Sequence, residues 1–531
     1  MIKRITDRPM PLFVFWTAVS LLYCLTVVTI EFHSVPVPDL HSFALAFLQW
    51  LTVSVCASGV MMVLCSSRIL FAVCFPLLAV VSATMAYFHL TLGVNLTGDW
   101  IETTMTGSGM MGMLSAPLVA IIAAVGLLSA MIALFRWTRV RASARTAVTA
   151  LTVGVAITCL PGFILPGIWA PVAARLPYSI YSATAEYLSN LKRINDGRDT
   201  YVNTPATASA TPPDVIFVVG ESLRADHLPQ NGYARNTMPL LSRDTALIVF
   251  PDIYSEFNIT FASVPHLLTR LNLTSDEASF HDQSFITLFK NAGYTTAWFA
   301  NQSPTETFAY YAHECDSLIR CKGNAAKSMY SYGKWLDADL LPLISSWLGN
   351  SGKPKLAVVH TIGSHWWYNS HYTDRHARFR PDMTNKEFAT LTHEQIVNSY
   401  DNSIVATDEF LAGLFSLLRG RNAVVLYCAD HGEGMGENGN YLHATTNDVT
   451  HNPACMIWYS PEYARLFPDK VAAARRGKDQ RHTTEAIFHT ALDLGALETP
   501  ALDRSKSLLK NNYRPYRPHK PYNSDAQTIP R

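Results

Sequence analysis

The chain has 531 residues, of which 49% are apolar and only 16% charged. Soluble domains carry about 25% charged residues, so this deficit points to membrane and excludes a disordered chain, a coiled coil and a small disulfide scaffold. Lys and Arg number 42 against 41 Asp and Glu, a net charge of +1. That balance argues against nucleic acid as the main partner, because phosphate binding needs a basic excess or patch.

In chain order, charges are absent from Pro9–Ile30, Ser42–Ser67, Ile69–Gly98, Thr103–Phe135 and Thr146–Ala174. Each stretch is long enough for a helix across about 30 Å of hydrocarbon. Residues 1–174 therefore read as a five-span transmembrane domain. Gly and Ser cluster at 106–112, which places the start of the fourth helix near Met113, and Pro161 and Pro166 are expected to kink or shorten the fifth. Lys3, Arg4 and Arg8 precede the first span, Arg68 separates the second and third, and Arg136, Arg139, Arg141 and Arg145 separate the fourth and fifth. The other loops lack Lys and Arg, so the N-terminus is expected inside and everything after Ala174 outside. No small-x-small site follows the first span, so a cleaved leader is not expected.

Residues 175–213 read as a connecting segment. Tyr178, Tyr181, Tyr187, Leu188 and Leu191 recur at roughly helical spacing. A helix over Pro177–Leu191 fits either the membrane surface or a face packed on the next domain. Thr204–Pro213, rich in Thr, Ala, Ser and Pro, reads as a linker.

Residues 214–500 carry short apolar runs at Asp214–Val219, Leu247–Phe250, Thr295–Phe299, Leu356–His360, Ala423–Cys428 and Ala454–Tyr459, the pattern of strands buried on both faces. Helical patterns lie between them at Phe285–Ala292, Trp335–Leu348, Gln395–Leu418 and Thr483–Leu494. This alternation predicts one α/β domain with a mostly parallel sheet flanked by helices. Residues 501–531 read as a loose tail. In such sheets, sites form at the carboxyl ends of strands. Gly220-Glu221-Ser222 follows the first strand, His360 and His365 fall at the end of the fourth, and Asp430-His431-Gly432-Glu433 follows the fifth. Glu221 alone reads equally as a helix N-cap. Asp430 and His431, adjacent at a strand end, read more strongly as ligands. Carboxylates with imidazole suit zinc or manganese rather than calcium.

Four blocks carry a resemblance: Val218–Leu241 (VVGESLRADHLPQNGYARNTMPLL), Asn258–Arg270 (NITFASVPHLLTR), His360–His365 (HTIGSH) and Ala429–His443 (ADHGEGMGENGNYLH). In order and spacing they resemble the signature blocks of the bacterial phosphoethanolamine transferases of the alkaline phosphatase/sulfatase superfamily. The five-span plan with a periplasmic catalytic domain fits as well, so the resemblance covers nearly the whole chain. It implies a multi-pass bacterial inner-membrane protein with a cytoplasmic N-terminus. It further implies that Glu221, Thr260, Asp430 and His431 hold a zinc ion and that Thr260 is the nucleophile. His365 and His443 would bind the phosphate, where family members sometimes hold a second zinc. Glu433 fills the acidic position after Asp-His-Gly, and His360 matches a histidine near the substrate.

The activity implied is transfer of phosphoethanolamine from phosphatidylethanolamine to lipid A, lipopolysaccharide core or another surface glycan. It would pass through a phospho-threonine intermediate, release diacylglycerol and be carried out by a monomer. The family position flanking the nucleophile with a disulfide is filled by Glu256 and His266, and Asn301-Gln302-Ser303 is followed by Pro304-Thr305-Glu306 where many members have Lys. The loop Gly93–Glu102 matches the donor-contacting loop poorly, with Glu102 the one candidate contact. A glycerophosphate transferase of the lipoteichoic acid synthase type and a non-catalytic sulfatase-like lipid sensor are the rival readings. A sulfatase is disfavoured, since Leu267 stands where Ser263-Val264-Pro265 would need a following Arg.

Of nine cysteines, five lie in the spans. Cys315 and Cys321 are expected to pair in an oxidising compartment. Cys428 and Cys455, in predicted strands, are expected to be buried thiols. His371 and His376 read as loop residues, and Trp366, Trp367 and Tyr368 as either cleft border or core.

Overall fold

The protein is described from a computed structural model. It describes residues 9–510 except 34, 36–39, 93–94, 99–100, 102–114, 165–168, 170–171, 200–203, 271–282, 303–309, 322–332, 350–351, 386–387, 444 and 446. The chain divides into two compact units, residues 1–105 with 113–189, and residues 106–112 with 190–531.

The first unit is helical. Helix α1 (Leu12–Tyr23) continues through a π turn at Cys24–Val28 into Thr29–Glu31. It is followed by α2 (Leu40–Ser66), α3 (Arg68–Leu92), α4 (Ala116–Arg139), α5 (Ala144–Ile164) and α6 (Ser179–Asp199), of which the part up to Ser189 belongs to this unit. Phe15, Val53, Cys56 and Phe71 are buried among the helices, while Leu77 and Leu127 are each 65% exposed. Large apolar side chains facing outward suit a lipid surroundings. Among the described residues, four helices are long and apolar enough to cross a membrane: Leu12–Glu31, Phe43–Ser66, Arg68–Thr91 and Ala116–Arg139. Four of the five expected spans are thus matched at full length. The fifth apolar helix is described as a shorter piece, Ala144–Cys159, with Arg145 one residue inside its start. Helix α4 starts at Ala116 rather than near Met113, because Ser115 caps it by accepting from Leu118 N–H and Pro117 fills the first turn. The Arg136 guanidinium is buried and donates to the Cys65 carbonyl at 2.8 Å and to the Val140 carbonyl at 3.1 Å. It thereby satisfies carbonyls that helix ends leave open.

The second unit is built on a seven-stranded sheet. Its strands are β1 (Asp214–Gly220), β2 (Leu247–Phe250), β3 (Thr295–Ala300), β4 (Ser317–Arg320), β5 (Lys355–His360), β6 (Ala423–Ala429) and β7 (Cys455–Tyr459), in the spatial order β2-β7-β6-β1-β5-β3-β4. β7 runs antiparallel to both its neighbours, and the other pairings in the sheet are parallel. Every residue of β1 and β6 is buried, as the unbroken apolar runs require of strands covered on both faces. Helices α7 (Thr260–Leu268), α8 (Phe285–Asn291), α9 (Leu341–Leu348), α10 (His393–Leu418) and α11 (Glu485–Leu494) accompany the sheet. A Thr392–Gln395 capping box starts α10.

Register decides where the chemistry collects. Val219 of β1 pairs with Cys428 of β6 on one side and His360 of β5 on the other, and Gly220 pairs with Ala429. Glu221, Asp430 and Thr361 therefore leave three neighbouring strands side by side.

Two expectations are corrected here. Cys315 and Cys321 form no disulfide with each other. Edge strand β4 lies between them, and at about 3.3 Å per extended residue it separates them beyond the roughly 7 Å that a disulfide can bridge. The tail begins later than composition suggests: Ala501, Leu508 and Leu509 are buried in the core of this unit. Cys428 and Cys455 stand opposite each other across β6 and β7 as buried free thiols, as expected.

Candidate metal centre and nucleophile

Glu221 directly follows β1, Asp430 and His431 directly follow β6, and Thr260 is the first residue of α7. The strand ends and this helix N-terminus bring the four together. The Thr260 hydroxyl lies 3.4 Å from Glu221 Oε2 and 3.4 Å from His431 Nε2. His431 Nε2 is 3.6 Å from Glu221 Oε1 and 3.3 Å from Asp430 Oδ2. One ligand atom from each of Glu221, Asp430 and His431 fits within a 4.8 Å cluster.

All three side chains are fully buried. His431 Nδ1 lies 2.8 Å from the Gly432 carbonyl, a bond it makes as donor, which leaves Nε2 with its lone pair facing the carboxylates. Burial and the neighbouring His443 push the His431 pKa down to about 4, so the ring is neutral and able to ligate. Gly432 allows the turn: a Cβ there would meet the Val449 carbonyl oxygen at 2.1 Å.

Asp430 Oδ1 accepts from Ser222 N–H at 3.2 Å and from His431 N–H at 2.8 Å, whereas Oδ2 is buried without a hydrogen-bond partner. Burial pushes this carboxyl up to about 6, against the Thr260 hydroxyl and the N–H donors. Buried carboxylates of this kind call for a cation. Two carboxylates, an imidazole with a free Nε2 and a hydroxyl are a donor set that fits zinc.

A second cluster adjoins the first. His431, Glu433 and His443 offer ligand atoms within 4.8 Å of one another, and the His431 and His443 rings lie 4.1 Å apart. Glu433, expected to meet substrate directly, is instead fully buried: Oε1 accepts from the Tyr368 hydroxyl at 2.8 Å, and Oε2 lies 3.0 Å from His443 Nδ1. Burial opposes charge on His443, but the bond to Glu433 and its charge prevail and raise the pKa to about 9. The His443 side chain is 23% exposed, so it can present positive charge to an anion. The His365 ring lies 6.2 Å from that of His443, beside the second cluster. His360 joins neither cluster. It is fully buried edge-on to Trp298, and burial lowers its pKa to about 4.

Composition alone did not single out several supporting residues. Gln302 donates to Glu221 Oε2 at 3.1 Å and to the Thr361 carbonyl at 2.7 Å. Asp337 accepts from Asn301 Nδ2 and from the N–H groups of Ile362 and Gly363. Arg224 pairs with Asp226 and Glu437 and donates to the Glu433 carbonyl. The Asn301-Gln302 pair was a visible signal, whereas Asp337 and Arg224 needed the fold. Where family members carry a disulfide, His266 is buried with both ring nitrogens unpartnered and its pKa lowered to about 4, and burial raises Glu256 to about 7. Glu102, Ser303, Pro304, Thr305 and Glu306 lie outside the described residues.

Residues 213–496 match the family model described as Sulfatase. The chain belongs to the sulfatase family. It is 24% identical over 558 aligned positions to phosphoethanolamine transferase EptA of Escherichia coli (strain K12), covering 96% of this chain and 99% of that protein. Among solved structures, the integral membrane lipooligosaccharide phosphoethanolamine transferase A (EptA) of Neisseria meningitidis superposes with a TM-score of 0.78 at 20% identity, over 93% of this chain and 98% of that one. The C-terminal periplasmic domain of EcEptC from Escherichia coli, solved in complex with Zn, superposes with a TM-score of 0.53 at 20% identity, over 61% of this chain and 96% of that one. These structural likenesses establish a shared fold of helical and sulfatase-type parts.

Proposed function

We propose that the chain transfers phosphoethanolamine from phosphatidylethanolamine to a cell-envelope acceptor (lipid A, lipopolysaccharide core or another surface glycan) through a phospho-Thr260 intermediate. The observation that carries this reading is the Thr260 hydroxyl, 3.4 Å from both Glu221 and His431 at the start of a helix. Near-full-length similarity to a phosphoethanolamine transferase supports it.

Glu221, Asp430, His431 and the Thr260 oxygen would hold one zinc ion, with His431, Glu433 and His443 the place for a second. When bound, zinc supplies positive charge that makes the Thr260 hydroxyl easier to deprotonate. Oγ1 of Thr260 attacks phosphorus, the bond to the diacylglycerol oxygen breaks, and that oxygen takes up a proton. An acceptor oxygen then attacks the phosphorus in line, and Thr260 regains its proton. Phosphoryl transfer asks chiefly for positioning and charge neutralisation. The backbone N–H groups that open α7 favour a phosphate beside Thr260, and when only the first zinc is bound a cationic His443, kept charged by Glu433, faces the same anion with His365 beside it. The donor is a membrane lipid, which accounts for joining a catalytic unit to membrane helices. In this reading the protein sits in the bacterial inner membrane, with its N-terminus cytoplasmic and its α/β unit periplasmic.

Incubation with labelled phosphatidylethanolamine or phosphatidylglycerol tests the donor. Release of diacylglycerol from the first alone is expected; turnover of the second alone would assign glycerophosphate transfer instead. Mass spectrometry of lipopolysaccharide from a deletion strain tests the acceptor, and an unchanged lipid A mass removes lipid A.

A further inference from the structure

Ser222, the residue after Glu221, touches both carboxylates of the centre with different groups. Its hydroxyl donates to Glu221 Oε1 at 2.8 Å, and its backbone N–H donates to Asp430 Oδ1 at 3.2 Å. Both contacts depend on an unusual backbone. Ser222 has φ +57°, in the left-handed region that side chains other than glycine rarely adopt. It is fully buried, so the conformation is imposed by its surroundings.

Those surroundings are visible. The Tyr400 hydroxyl, projecting from α10, donates to the Ser222 carbonyl at 2.6 Å and accepts from Arg224 N–H at 2.9 Å. Gly363, at φ +48°, abuts the backbone of Glu221, where a Cβ would meet the Glu221 carbonyl oxygen at 2.7 Å. Ser364 N–H donates to that same carbonyl at 3.0 Å. The turn after β1 is thus clamped from two neighbouring elements.

The consequence concerns which oxygen faces which partner. With Ser222 on Oε1 and Gln302 on Oε2 of Glu221, neither carboxylate oxygen can rotate without losing a donor. With Ser222 N–H on Oδ1 of Asp430, Oδ2 is left turned toward His431 Nε2 at 3.3 Å.

We infer that Ser222 is the positioning residue of the metal centre: its strained backbone and its hydroxyl together fix Glu221 and Asp430 in the orientation that receives the cation. This rests on the zinc-dependent reading above. Outer-shell partners of this kind are worth about 10–100-fold in metal affinity.

The strained backbone makes the inference separable from a simple folding role. Ser222→Gly removes the hydroxyl while suiting the left-handed conformation; Ser222→Ala removes the hydroxyl and keeps the strain. The experiment measures zinc affinity of the full-length protein by chelator competition, alongside Tm of the metal-free form. For Ser222→Gly, the expected result is a metal-free Tm equal to or above that of the unaltered protein, with zinc bound about 10–100-fold more weakly. Ser222→Ala should weaken zinc similarly and also lower Tm. Zinc affinity within twofold of the unaltered protein in Ser222→Gly would overturn the positioning role. Failure of the unaltered protein to bind zinc would instead overturn the reading beneath it.

Discussion

Thr260 and His431, 171 positions apart in sequence, bring a hydroxyl oxygen and a ring nitrogen to 3.4 Å. The approach is made by two backbone events, the start of α7 and the end of β6. Both converge on Glu221, which the register of β1 against β6 places beside Asp430. A hydroxyl held there is set apart from an ordinary buried threonine by having two prospective metal ligands as its neighbours.

Thr260→Ala should therefore remove transfer by at least about a thousandfold while leaving the fold intact, since Thr260 is only partly buried at a helix start. Thr260→Ser should keep measurable turnover. Diacylglycerol release checks activity and thermal unfolding checks the fold. Substantial turnover in Thr260→Ala would point to another nucleophile.

Glu433 acts on His443 rather than on the ligand itself, because its two oxygens are committed to Tyr368 and His443. Glu433→Ala strips His443 of its orienting partner and leaves the Tyr368 hydroxyl buried and unpaired. A kcat loss of about 10–100-fold is expected, with a smaller loss in Glu433→Gln, which can still bond both neighbours. Equal activity of Glu433→Ala and the unaltered protein would argue against the relay.

Asp337 ties the segment after β5 to β3 by accepting from Asn301, Ile362 N–H and Gly363 N–H at 2.7, 2.8 and 2.9 Å. Asp337→Ala strands buried donors, at a cost of about 2–4 kcal/mol. Because Gly363 abuts Glu221, zinc affinity should fall together with Tm. Chemical denaturation with and without zinc measures both, and a variant as stable as the parent would contradict this.

The pH dependence of stability has a source away from the metal centre. Burial raises the Glu314 carboxyl from 4.5 to about 7, against the hydroxyls of Ser284 and Thr287, and its Oε1 is buried without a hydrogen-bond partner. The folded pKa lies above the unfolded one, so the fold favours the protonated acid. The stabilising contribution is complete below about 4.5 and is lost as pH rises through about 7. Glu314→Gln should unfold at a higher temperature than the parent at pH 8, and the gap should close toward pH 4. A gap that widens on acidification would reverse the assignment.

Much of the fold was legible because buried parallel strands leave an unbroken apolar run, as at Asp214–Val219 and Ala423–Cys428, and membrane helices leave charge-free stretches. Edge strand β4 was not, since Ser317 and Arg320 enclose only two apolar residues at the rim of the sheet, too short a run to stand out from a loop. Helix α7 was hidden by Pro265 within it. At the site, Glu221, Asp430 and His431 showed themselves as polar residues closing apolar strands. Thr260 needed the family resemblance, because a lone threonine carries no pattern. Ser222 was visible as a residue, but its left-handed backbone and its reach to a carboxylate 208 positions away exist only in the fold. His360 shared the strand-end position yet points its chemistry into the core, because residues at one strand end can face opposite ways.

The most direct measurement is mass spectrometry of the enzyme quenched during turnover of phosphatidylethanolamine in the absence of acceptor. The account predicts that the peptide containing Thr260 gains the mass of one phosphoethanolamine group, that addition of acceptor discharges it, and that Thr260→Ala never acquires it. A label on any other residue, or steady diacylglycerol release with no covalent label at all, would contradict it.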